Sequence, residues 1–92
     1  MGLAGKNILV TGGFGFYGSH LAAALLEKDA NVFVVDVQFN PKSYFFDKEL
    51  DKKIVYEIFD ITDFFRTHAF ITKNSIDFVF HTAALATVEA SL

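Results

Sequence analysis

The chain contains no cysteine. Disulfides, thiolate nucleophiles and zinc–thiolate centres are thereby excluded, in keeping with a reducing compartment. No apolar run reaches the length of a membrane span, and the opening MGLAGKN lacks the apolar stretch of a signal peptide. The expectation is a cytoplasmic protein with no membrane partner. Gly2 is not a myristoylation site, because that pattern needs Ser or Thr where this chain has Lys6. A basic stripe is also missing: 8 Lys+Arg and 11 Asp+Glu are interspersed for a net charge of −3, which argues against nucleic acid. No His, Asp or Glu set has metal-ligand spacing. Glycine is scarce too. There are six in 92 residues, and none follows Gly18.

What is present points to one small domain. Residues 1–92 suffice for one globule and not two, and 52% apolar residues exclude a disordered chain. Twelve phenylalanines are many for this length. They imply a dense core, or apolar surface meant to be covered.

Ile8–Thr11 reads as a buried parallel strand. From Phe16 the apolar spacing becomes helical through Tyr17, Leu21, Ala24 and Leu25, ending near Asp29 with Asn31 as a turn residue. Val32–Asp36 is a second strand. The stretch 37–53 holds the only proline, Pro41, and a short helix over Ser43–Leu50. Ile54–Asp60 is a third strand, and Thr62 caps a helix through Phe65, Ala69 and Ile71. Asp77–Thr82 is a fourth strand, and 83–92 start a loop leading into a helix. Strands alternating with helices imply right-handed crossovers and a parallel α/β sheet.

The scarce glycine is concentrated in VTGGFGFYGSH, residues 10–20, which holds Gly12, Gly13, Gly15 and Gly18. The segment satisfies G-x-G-x-x-G and T-G-x-x-G-x-x-G together. Such glycines allow a tight turn, a close approach of backbone to a pyrophosphate, and close packing of helix on sheet. The helix N-terminus then offers N–H groups and a positive dipole end to phosphate. Asp36, at the end of the next strand, is placed to accept ribose hydroxyls and to repel a 2′-phosphate. Its neighbours are Val35 and Val37, with no Arg beside it, so the expected cofactor is NAD.

TGGFGFYGSH, Val-Val-Asp36, Phe59-Asp60-Ile61-Thr62-Asp63 and Val79-Phe80-His81-Thr82-Ala83-Ala84 together resemble the start of an extended short-chain dehydrogenase/reductase. The branch it looks like is the NAD-dependent epimerase/dehydratase group acting on nucleotide sugars. The resemblance implies a Rossmann-type parallel sheet of four strands in order 3-2-1-4 with flanking helices, truncated relative to the family. It implies cofactor contacts from Gly12, Gly15, Phe16, Tyr17 and Gly18, with Phe14 lining the same turn. It places Asp60 and Ile61 at the adenine, and Thr82, Ala83 and Ala84 under the nicotinamide-side ribose. His81, His20 and His68 receive no catalytic role.

Family catalysis uses a Tyr and a Lys four apart on a helix after the fifth strand. The one such spelling here, Tyr44 to Lys48, follows the second strand and is read as a decoy. No catalytic residue is therefore assigned, and these 92 residues alone are expected to be inactive. The reading is an NAD(H)-binding N-terminal portion of a nucleotide-sugar epimerase/dehydratase-like oxidoreductase. The alternative is a non-catalytic, stand-alone binding or assembly module. The fourth strand is expected to be an uncovered edge, open to self-association or to a C-terminal portion of the protein.

Overall fold

A computed structural model describes residues 2–82. The sheet is built around β1 (Asn7–Thr11), whose Ile8, Leu9 and Val10 are buried. β2 (Asn31–Asp36), β3 (Val55–Ile58) and β4 (Phe78–His81) complete it, all parallel, in the order β3-β2-β1-β4. This is the expected Rossmann-type arrangement. Leu9 lies between Phe33 and Val79 in register.

Strand alternation divides the apolar residues between two faces. Ile8, Val10, Val32 and Val34 meet α1 (Phe16–Glu27) and α2 (Tyr44–Asp47) in the larger core. Leu9, Val35 and Phe33 meet α3 (Phe64–Lys73) through Phe70 and Ile71. A 3₁₀ turn over Leu50–Lys52 follows α2, so the single helix expected over 43–50 is two shorter pieces. Asn31 is not a turn residue but opens β2, its amide bonded to the Asn7 side chain at 2.9 Å.

Helix ends commonly use glycine in the left-handed region, and none is available beyond Gly18. Asp29, Glu49 and Ser75 take that conformation instead, with φ of 64°, 58° and 50°. At the end of α1, Asp29 N–H donates to Leu26 and Ala30 N–H to Leu25. At the end of α3, Ser75 and Ile76 repeat the pattern onto Thr72 and Ile71. Both helices are thus closed without the usual residue, and β2 and β4 start directly after them.

The start of α3 departs from expectation. Its cap is Asp63, whose carboxylate accepts from Arg66 N–H at 3.2 Å, not Thr62. An ionised acceptor one residue nearer the helix wins over a hydroxyl, and Thr62 bonds back to Asp60.

The phenylalanines divide as well. Phe14, Phe45, Phe59 and Phe70 are buried, whereas Phe16, Phe64, Phe65, Phe78 and Phe80 are exposed.

Candidate functional site

All four strands end on one side of the molecule, and the site is built there. β1 runs into Gly12, whose φ of +76° turns the chain sharply. A side chain is strained at that angle. Gly12 N–H donates to Val35 at 2.8 Å and Gly15 N–H to Gly12 at 3.1 Å, which closes the turn against β2. Gly15 then caps α1 with extended backbone and has no side chain to occupy the first-turn N–H groups. An uncapped helix start beside bare backbone is the local chemistry of an anion site. Phe16 and Tyr17 contribute backbone there, since their side chains are largely exposed. Gly18 lies beneath the turn. A Cβ on it would overlap the Gly12 carbonyl oxygen and come within 2.8 Å of Thr82 Oγ1. Its role is close packing of helix on strand.

Asp36 ends β2. Its Oδ1 accepts from Val37 N–H at 2.7 Å and its Oδ2 from Phe14 N–H at 2.9 Å. Phe14 borders a hollow beside the turn, together with Gly15 and Asp36, while its ring is largely withdrawn into the core. It is buried, with ring centroids 5.1 Å from both Phe45 and Phe46 and 5.7 Å from Tyr56. Burial of that ring outweighs exposure at a polar turn.

Beyond β3, Asp60 Oδ1 accepts from Thr62 N–H at 3.0 Å and from Thr62 Oγ1 at 2.9 Å. The backbone bond first, then the hydroxyl bond, hold the exposed Asp60 carboxyl below its usual 3.8. A depressed folded-state pKa gives stability that is present above 3.8 and lost as pH falls through the lower folded value. Thermal melts of wild type and Asp60→Asn should therefore keep a constant offset from neutral pH down to about 3.8. From there the wild type should lose ground to the variant until pH has passed the lower folded value. An offset that stays fixed throughout the acid range would refute the assignment.

β4 ends at His81, and Thr82 follows it. Thr82 Oγ1 donates to the Thr11 carbonyl at 2.6 Å, and Thr11 Oγ1 lies 2.6 Å from His81 Nδ1. These bonds tie the ends of β1 and β4, the point where strand order reverses and where open α/β sheets bind ligands. Ala83 and Ala84 lie outside the described residues, as does the segment read as a loop and helix over 83–92.

A cleft of about 260 Å³ opens between these strand ends, lined by Thr11, Gly12, Gly15, Asp36, Ile61 and Thr82 among others. A second hollow of about 360 Å³ shares Gly15 and Asp36 and continues past Gln38, Phe39 and Asn40. Five residues singled out from sequence thus surround the first cleft: Gly12, Gly15, Asp36, Ile61 and Thr82. Gly18, Phe16, Tyr17 and Asp60 are not in its wall. Val35, Val37 and Phe59 are in the wall and were not singled out; the only signal was their adjacency to Asp36 and Asp60. Among the described residues, no His, Asp and Glu group is arranged to hold a metal ion.

Tyr44 and Lys48 are elsewhere. Tyr44 stacks on His20 at 3.9 Å between centroids, and Lys48 Nζ sits 5.9 Å from the Tyr44 ring. His20 Nδ1 is 2.8 Å from the Phe16 carbonyl; the carbonyl only accepts, so that nitrogen carries the proton. The tyrosine therefore packs α2 against α1, and neither member of the pair lines the cleft.

The fold, with its cleft at the strand ends, defines a Rossmann-type α/β architecture. A sequence model of the "NAD dependent epimerase/dehydratase family" matches residues 8–92, and the chain belongs to that family. It is 37% identical over 87 residues to a UDP-N-acetyl-alpha-D-glucosaminuronate decarboxylase of Bacillus cytotoxicus, covering 95% of this chain and 26% of that protein. It is 33% identical to a UDP-glucose 4-epimerase of Schizosaccharomyces pombe, covering 94% of this chain and 25% of that one. Among solved structures it resembles a UDP-glucose-4-epimerase from Stenotrophomonas maltophila, described with bound NAD and formylated UDP-arabinopyranose. That match has 33% identity and a TM-score of 0.75, over 90% of this chain and 26% of that one. The chain thus spans about a quarter of the length of these relatives.

Proposed function

We propose that the strand-end cleft binds NAD(H), and that the chain is the NAD-binding N-terminal portion of a nucleotide-sugar epimerase/dehydratase-like oxidoreductase. The observation that carries this is the placement of Asp36, a lone carboxylate shared by both hollows, with no Lys or Arg among their described lining residues. That arrangement suits free ribose hydroxyls and disfavours a 2′-phosphate. The turn fits the group as well. A Cβ on Gly15 would meet only the Gly12 oxygen, at 3.5 Å, so bare backbone faces the cleft.

On this reading the first-turn N–H groups of Phe16 and Tyr17 hold the pyrophosphate, with Gly12, Gly15 and Gly18 shaping the turn. Asp36 accepts the adenosine ribose hydroxyls, Asp60 and Ile61 face the adenine, and Thr82 runs under the second ribose. Bound NAD supplies a hydride acceptor. The described residues around the cleft hold the dinucleotide but offer no Tyr–Lys pair to move the substrate proton. Epimerase, dehydratase or dehydrogenase chemistry belongs, on this proposal, to a longer protein in the cytoplasm. The family match supports it over a stand-alone, non-catalytic module.

Calorimetric titration should show tighter binding of NAD than of NADP, and Asp36→Ala should erase the preference. Tighter NADP binding, or an unchanged preference in the variant, overturns this reading.

The exposed side of β4 belongs to the same proposal. Phe78, Val79 and Phe80 are 47%, 37% and 37% exposed on an edge strand. Val79 also lines an apolar groove of about 490 Å³ with Leu9, Ile61, Phe64 and Ile71. Exposed apolar edges pair with other chains. Sedimentation of the 92-residue chain should show self-association, and Val79→Lys should reduce it. A monomer at all concentrations would count against it.

A further inference from the structure

We infer that Asp36 is also the positioning residue of the glycine-rich turn, acting through the Phe14 backbone. Its binding arm rests on the nucleotide reading above; its structural arm does not. The Phe14 N–H to Asp36 Oδ2 bond, 2.9 Å long, spans 22 residues of sequence. It is a bond to an ionised acceptor, stronger than one between neutral groups. Phe14 is thereby held from two sides. Its ring sits among Phe39, Phe45, Phe46 and Tyr56, and its amide sits on the carboxylate. Gly15, the next residue, caps α1, so whatever orients Phe14 orients the start of that helix.

An acceptor count links this to ligand choice. A carboxylate offers about four lone-pair positions. Val37 N–H and Phe14 N–H occupy one on each oxygen, leaving one on each. That is the number of hydroxyls on an unsubstituted ribose edge. Asp36 cannot swing aside to admit a 2′-phosphate without stranding the Phe14 amide behind its buried ring. Removing the carboxylate therefore weakens the NAD site without creating an NADP site.

The test compares wild type with Asp36→Asn. The carboxamide keeps the size but has one accepting oxygen, so it cannot serve both amides. Two probes are titrated: ADP, and 2′,3′-dideoxy-ADP, which has no ribose hydroxyls to read. Amide hydrogen exchange is measured at Phe14 in ligand-free protein, with the Phe16 and Tyr17 amides as uncapped controls. The expected result is Phe14 exchange about tenfold faster in the variant, and an affinity loss that persists with dideoxy-ADP. A loss confined to ADP, or unchanged Phe14 exchange, overturns the inference. If wild type binds neither nucleotide, the cofactor reading fails and the exchange result alone decides the positioning role. If the variant does not fold, wild type decides: Phe14 protected beyond Phe16 and Tyr17 sustains the inference, and exchange at their rate overturns it.

Discussion

Gly18→Ala should lower the melting temperature sharply and weaken NAD binding by about tenfold or more, because its Cβ lands on backbone. The atom would overlap the Gly12 carbonyl oxygen and lie 2.8 Å from both the Gly12 carbonyl carbon and Thr82 Oγ1. The carbonyl belongs to the turn itself and cannot rotate away, so α1 must lift off β1. Overpacking of this kind costs about 1–3 kcal/mol or more. For a domain of this size each kcal/mol is roughly 4–8 °C in melting temperature. The same lift moves the first-turn N–H groups, and 1.4 kcal/mol of lost contact is about tenfold in affinity. Gly13 provides the contrast. Its added Cβ would strike the Val34 side chain, with Cγ2 at 2.7 Å and Cβ at 3.0 Å. That neighbour can be trimmed. Gly13→Ala should cost less in a Val34→Ala background than in wild type, with a coupling of about 0.5–3 kcal/mol. No such rescue is expected for Gly18→Ala. Calorimetric melts of the single and double variants decide it, and a Gly18→Ala protein melting with wild type would remove the close-packing argument.

Phe14→Ala should destabilise the fold by about 3–5 kcal/mol. Domains of this kind hold roughly 5–15 kcal/mol in total, so a large part of the stability is at stake. The ring is 3% exposed and stands among Phe39, Phe45, Phe46 and Tyr56. These rings come from the glycine turn, the loop after β2, α2 and β3, so their contact fastens the glycine turn to the segments that follow β2. The aromatic exposed next door behaves oppositely. Phe16 is 76% exposed, and Phe16→Ala should change stability by less than about 0.5 kcal/mol. Denaturant titration of the two variants measures both, and equal losses would mean that the two rings share one environment.

The parallel α/β sheet was legible along the chain because its signals are local. Ile8 to Val10 and Val32 to Val35 read as buried strands from their apolar runs alone, and both form the centre of the sheet. The change to helical spacing at Phe16 marks the first residue of α1. The glycine turn was visible for the same reason, since steric freedom is a property of single residues and their spacing. The order β3-β2-β1-β4 was available through family resemblance, not through any periodicity in the residues.

Tertiary structure decided what depends on partners far along the chain. Phe14 and Phe16 are the same residue type two positions apart, yet one is core and the other surface. Only the arrival of α2 and β3 distinguishes them. Asp36 reads from sequence as a group aimed at ligand, but half of its acceptor capacity serves amides of its own chain, one of them 22 residues away. Tyr44 and Lys48 spell a catalytic pair, and stacking on His20 makes the tyrosine a packing residue. Thr62 and Asp63 compete for one helix start, and the choice fell to the carboxylate that reaches Arg66 N–H. Local composition sets which conformations a segment favours; long-range packing and hydrogen bonding determine which atoms each side chain finally meets.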